Sequence, residues 1–223
     1  MTTDLILLRH GETAWNRERR IQGQLDTPLN DEGLRQARAA ARRLAAEASH
    51  WALDDPRAQG RPVMLSSDLT RCRQTAEPIA SALGLDFALD ARLRERAYGV
   101  FEGRTWPEIR RDDAGRFDRW QSRDPDFDAG GGESLRRFAA RVEGALFDLA
   151  VRHRGRTLVL VTHGGVLDVV NRLCRGLTLE APRDFEIPNA SLNRIRFDGE
   201  CFELRVWGDV AHWTVSLDEL GPV

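Results

Sequence analysis

Leu5-Ile6-Leu7-Leu8-Arg9-His10-Gly11-Glu12 runs four apolar residues directly into an arginine, a histidine and a glycine. Four unbroken apolar residues before a Gly-containing turn predict a strand buried on both faces, as in a parallel sheet. A histidine at the carboxyl end of such a strand is rigidly held and faces the crevice where open α/β sheets bind ligands. Taken alone, the stretch is equally a strand end with an incidental histidine. A second stretch of the same construction removes that reading.

Thr157-Leu158-Val159-Leu160-Val161-Thr162-His163-Gly164-Gly165 is again a buried-type strand ending in His-Gly, with its histidine 153 positions further on. The two histidines can meet only if their strands are neighbours with both carboxyl ends on one edge. Between them, Leu65-Ser66-Ser67-Asp68-Leu69-Thr70-Arg71-Cys72-Arg73-Gln74-Thr75-Ala76 predicts a short strand, a polar turn and a helix with arginine in its first turn. Leu93-Arg94-Glu95-Arg96-Ala97-Tyr98-Gly99-Val100-Phe101-Glu102-Gly103 sets a carboxylate in a Gly-punctuated loop.

The remaining pattern predicts the scaffold. Asn30 to Ala48 has an N-cap, acids in its first turn and apolar residues at helical spacing. Helices are also predicted from Leu69 to Leu83, from Ser134 to before Gly155, and after His163. Leu85, Phe87 and Leu89 alternate as a strand. Ala190–Phe197 and Cys201–Trp207 read as a hairpin turning at Asp198-Gly199-Glu200. Alternating helix and strand predict an α/β fold: a single-domain three-layer sandwich, its mainly parallel central sheet covered by helices on both faces. At 223 residues without a linker-like stretch, 1–223 reads as one domain. His50 to Pro62 is expected as a surface insertion, and 104–132 as a lid or specificity insertion bounded by Gly130-Gly131-Gly132.

The net charge of −2 argues against a nucleic-acid footprint or a polybasic anchor. No apolar run approaches the roughly 18–20 residues of a membrane span. The first strand begins too early to leave room for a signal peptide, and three scattered cysteines fit a reducing compartment, so a cytoplasmic location is expected. All 33 basic residues are arginine, for which nucleotide bias in the source genome suffices as a cause. The consequence is chemical all the same: Schiff-base and P-loop lysine chemistry are excluded, and any phosphate must be held by arginine or histidine.

The four motifs, in this order from about Leu5 to Asn193, closely resemble those of the histidine phosphatase superfamily, the phosphoglycerate mutase-like family. The resemblance implies that His10 is the nucleophile and becomes phosphohistidine, starting from a neutral imidazole of ordinary pKa about 6.5. Its other ring nitrogen is expected to donate to a backbone carbonyl. Arg9, Arg71 and His163 are expected to form a cationic cage on the equatorial oxygens, with Asn16 as a neutral donor. The same resemblance puts Thr13, Gln22 and Gly23 at the substrate rim, and Tyr98 is a further candidate for substrate binding. Glu95 is expected to protonate the leaving alkoxide and then activate water, a task favouring a carboxyl with raised pKa. Glu102 and Glu133, in similar loops, are its rivals. A metal shared by His10 and His163 is disfavoured, since neither has a nearby ligand partner. Cys72 is expected to pack, and His50, His153 and His212 to lie on the surface.

Glu95-Arg96-Ala97-Tyr98-Gly99 has a mutase character. However, Trp106 stands where mutases carry a substrate-binding lysine, Gly165 replaces an asparagine, and Arg119 and Arg123 replace the paired arginines of the mutase lid. Gln22-Gly23-Gln24-Leu25-Asp26-Thr27-Pro28-Leu29, Phe101-Glu102-Gly103 and Gly131-Gly132-Glu133-Ser134 point to the phosphatase branch. The expectation is therefore a metal-independent phosphatase of a small phosphorylated metabolite, without cofactor. The alternatives are a phosphoglycerate mutase, with 2,3-bisphosphoglycerate as cofactor, and a catalytically silent phosphate-binding module. The family allows a homodimer, which no sequence feature demands. Specificity is expected from Arg104 to Gly132. Its Trp106, Phe117, Trp120 and Phe127 either line a mixed apolar–cationic pocket or pack as a lid.

Overall fold

The computed structural model describes residues 1–48, 51 and 61–213. Six strands form one sheet: β1 (Thr3–Arg9), β2 (Val63–Ser66), β3 (Phe87–Leu89), β4 (Thr157–Thr162), β5 (Leu192–Phe197) and β6 (Phe202–Asp209). Their order is β3-β2-β4-β1-β5-β6. The first four run parallel, and β5 and β6 add an antiparallel edge. The two histidine-bearing strands are thus neighbours at the centre, in a register that pairs Arg9 with Thr162.

The unbroken apolar runs are explained by burial on both sides. In β1, Leu5 and Leu7 face one layer, while Ile6 and Leu8 face the other, as the two-residue period of a strand dictates. The first layer contains α6 (Leu135–Arg152) and α7 (Gly164–Arg175), the second α2 (Asp31–Glu47) and α3 (Thr70–Leu83). Asn30 caps α2 by accepting from the Gly33 amide, and Ser134 caps α6 through the Arg137 amide. Asp198 closes the β5–β6 turn by accepting from the amides of Glu200 and Cys201.

A one-turn helix, α1 (Ala14–Arg17), follows His10; α4 (Trp106–Asp112) and α5 (Ala114–Gln121) lie in the 104–132 segment. That segment joins Ile21, Tyr98 and Phe101 in a third apolar cluster, of Ile21, Phe101, Ile109, Phe127 and Ala129 with Tyr98, Trp106, Phe117 and Trp120 packed on it. Trp106 and Trp120 stack with centroids 5.1 Å apart, and Phe101 meets both edge-on. Of the two arrangements open to these aromatics, the packed one is adopted. No helix among the described residues is long and apolar enough to cross a membrane. The insertion expected from His50 to Pro62 lies mostly outside the described residues, as does His50. His153 and His212 are half-buried rather than exposed, a correction to the surface expectation.

Candidate active site

Parallel pairing carries the ends of β1 and β4 to one level, where the His10 amide donates to the Thr162 carbonyl at 2.9 Å. The rings of His10 and His163 then meet edge-on, with centroids 5.3 Å apart. His10 is 3% exposed, and its Nδ1 lies 2.7 Å from the Gly11 carbonyl. A carbonyl only accepts, so Nδ1 bears the proton and Nε2 keeps its lone pair. Burial, followed by the charges of Arg71 and Arg9, pushes the imidazole pKa well below its ordinary 6.5, against the opposing Gly11 bond. The ring is neutral and carries a fixed lone pair.

Arg71 is fully buried near the start of α3. Its Nη1 donates to the Leu25 carbonyl at 2.9 Å, Nη2 to the Gly23 carbonyl at 2.7 Å, and Nε to His163 Nδ1 at 3.3 Å. The left-handed Gly23 (φ 55°) lets its loop press on Glu102, whose Oε1 would lie 2.1 Å from any Cβ there. Arg9, half-buried, donates from Nη1 to the Ile187 carbonyl, and burial brings its pKa down to about 10. Neither guanidinium has a carboxylate ion-pair partner among the described residues, in contrast to Arg92 or Arg94. Two cations bonded to carbonyls and an imidazole, rather than to acids, leave positive charge for an anion to meet.

His163 departs from the expected cage. Arg71 Nε can only donate, so His163 Nδ1 is the acceptor and Nε2 bears the proton, 2.8 Å from Ser67 Oγ. Burial first, and Arg71 second, push its pKa well below 6.5. The ring is therefore neutral, and the cationic charge resides on Arg9 and Arg71. Cys72, fully buried, donates its thiol to the Thr162 carbonyl and lies 3.3 Å from His163 Nε2; burial raises its pKa.

Thr13 is buried and caps α1, exchanging hydrogen bonds with Asn16. Gln22, 8% exposed, accepts from Thr27, so it braces the loop that holds Arg71. Tyr98 is half-buried, edge-on to Trp120 at 5.2 Å, and burial keeps its phenol protonated. Among the three candidate acids, Glu102 accepts from the amides of Gln24 and Tyr98, and Glu133 pairs with Arg141. Both are framework bonds. Glu95 accepts from the Arg96 amide at 2.8 Å and from the Gly165 amide at 2.9 Å, beside the second His-Gly. A Cβ at residue 165 would fall 2.1 Å from Glu95 Oε1, so glycine is required for this contact. Among the described residues no group of three His, Cys, Asp or Glu is placed to hold a metal ion.

Sequence reasoning passed over Ser67 and Asn189. Ser67 directly follows the parallel strand β2, and polar residues at strand ends are where ligand-side chemistry collects, so that signal was present. Asn189 donates to the His10 carbonyl and to Asn16 from 173 or more residues away, and no local pattern marks it.

The profile of the histidine phosphatase superfamily (branch 1) matches residues 5–210. "Phosphoglycerate mutase-like protein 4" of Arabidopsis thaliana is 38% identical over 98% of this chain and 88% of its own length. Bacillus stearothermophilus YhfR superposes with a TM-score of 0.82 at 33% identity, covering 94% of this chain and 98% of YhfR. A mycobacterial glucosyl-3-phosphoglycerate phosphatase superposes with a TM-score of 0.77 at 31% identity, covering 93% of this chain and 99% of that one. With its two strand–His–Gly units side by side and the matching profile spanning nearly its whole length, this chain belongs to the histidine phosphatase superfamily.

Proposed function

We propose that the chain is a metal- and cofactor-independent phosphatase that hydrolyses a small phosphomonoester through phosphohistidine on His10. The reading rests above all on the His10 ring, neutral and with its Nε2 lone pair fixed, under the influence of two guanidiniums that have no carboxylate ion-pair partner among the described residues. His10 Nε2 attacks phosphorus, and the ester P–O bond breaks as Glu95 gives its proton to the leaving alkoxide. The Glu95 carboxylate then takes a proton from water, which attacks phosphorus and breaks the P–N bond. Inorganic phosphate leaves, and His10 returns neutral.

Arg9, Arg71 and the Asn16 amide stabilise the equatorial oxygens in both steps, and preorganised donors of this kind are typically worth about 10²–10³-fold each. A phosphoryl dianion also raises the proton affinity of His163, so that this ring gains its charge with substrate bound. Tyr98, Gln22 and Gly23 border the ester group, and the 104–132 segment, packed as a lid, bounds the space left for it.

The mutase alternative draws on the name of the Arabidopsis relative. One set of assays separates the two. Phosphate release from an aryl phosphate, unaffected by chelator and accompanied by an acid-labile label on His10, is expected, and His10→Ala should abolish both. Retained label and turnover in that variant would sink the mechanism. Rapid formation of 2-phosphoglycerate from 3-phosphoglycerate and 2,3-bisphosphoglycerate, without net phosphate release, would establish the mutase instead.

A further inference from the structure

We infer that Asn189 is a positioning residue: together with Thr13 it fixes which end of the Asn16 carboxamide is presented to the phosphoryl group. The inference rests on the phosphatase reading for the identity of the ligand, while the orientation itself follows from hydrogen-bond logic.

The His10 main-chain oxygen can only accept, so the Asn189 atom 3.0 Å from it is the amide nitrogen. That same nitrogen lies 3.2 Å from the carboxamide of Asn16, where it must meet an acceptor. The Asn16 atom there is therefore Oδ1. The Thr13 amide, 3.1 Å from the same atom, gives an independent and identical answer, and the Thr13 hydroxyl donates to it as well. With three donors around Oδ1, only the NH2 of Asn16 is left to meet a ligand. An anionic oxygen requires that arrangement, since the reversed amide would set an oxygen against it.

Asn189 does not act in isolation. It belongs to Ile187-Pro188-Asn189-Ala190, a stretch that holds three parts of the site together. The Ile187 carbonyl accepts from Arg9 Nη1 at 2.6 Å, and the Ala190 amide donates to the His10 carbonyl at 3.2 Å. Ala190 has φ 54°, a left-handed conformation that a residue with a Cβ adopts only where its surroundings impose it. This short connection enters β5 directly and so ties Arg9, His10 and Asn16 to the sheet.

The test uses the full chain labelled with ¹⁵N-asparagine. Without ligand, the Asn189 NH2 should be protected from solvent exchange while the Asn16 NH2 exchanges quickly; the reverse pattern overturns the inference. On adding inorganic phosphate, the Asn16 NH2 resonances should shift and those of Asn189 should not. Failure of the wild-type chain to bind phosphate would count against the phosphatase reading, and leaves the ligand-free arm to decide the orientation.

In kinetics, Asn189→Ala and the isosteric Asn189→Asp should each lower kcat/KM for an aryl phosphate roughly tenfold to hundredfold, the range for one hydrogen bond to a charged group. In an Asn16→Ala background, Asn189→Ala should add less than threefold. A full additive loss would mean that Asn189 acts by some other route.

Discussion

Gly165 shows how much a single missing atom decides. Its amide holds Glu95, and a Cβ in its place would lie 2.1 Å from Oε1 and 3.3 Å from the Phe138 ring, so Gly165→Ala shifts the carboxylate from this position. The expected result is a fall in kcat of tenfold or more for alkyl phosphates and a smaller fall for aryl phosphates, whose leaving groups need less protonation. Equal slowing across a leaving-group series would argue that Gly165 does not serve Glu95. At this scale the motifs singled out His10, Arg71 and Glu95 as candidates. The bond from a His10 ring nitrogen to a backbone carbonyl was expected and is made to Gly11, whereas the His163 tautomer was not legible, because it is set by Arg71 Nε from 92 residues away. Without ligand His163 is held neutral, because burial and Arg71 outweigh the unperturbed imidazole.

Among the elements, α2, α3, α6 and α7 were readable because each combines an apolar stripe with a terminal signal such as Asn30, Gly84 or Ser134. The hairpin of β5 and β6 was readable from its turn. The helices α4 and α5 were not, being seven and eight residues long and dense in charge. Thr105-Trp106-Pro107-Glu108 nevertheless forms a capping box with proline in the first turn, a start signal that the aromatic spacing overshadowed. These helices depend on their aromatic cluster, since elements so short are marginal alone. Phe101 is fully buried against Trp106, Trp120 and Phe127. Phe101→Ala should cost about 3–5 kcal/mol. Hydrogen exchange should then quicken across 104–132 before it does in the sheet. Uniform quickening would show that the segment is no separate cooperative unit.

The whole molecule keeps two imidazoles neutral in its interior, and this makes its stability depend on pH. Both folded pKa values are depressed below 6.5, so between the folded and unfolded values the unfolded chain binds the extra protons. The stabilisation is complete above pH 6.5 and is lost as pH falls toward the folded values, at up to about 1.4 kcal/mol per pH unit for each ring. Urea midpoints measured from pH 7.5 to 5.5 should decline on the acid side; a flat profile would contradict neutral burial. The neighbourhood of β1 and β4 was legible because two strand–His–Gly units can converge in only one way. The attachment of β5 to the far side of β1 was not, as nothing local selects a hairpin's third partner. The pairing of β1 with β4 carries a kinetic consequence. Two strands about 150 residues apart in the chain must close a long loop before either gains from the other, and such contacts form slowly. The two strand-end histidines therefore come together only once this long-range pair has closed: a chain that has formed its helices and its hairpin alone holds neither half of the His10–His163 arrangement in place.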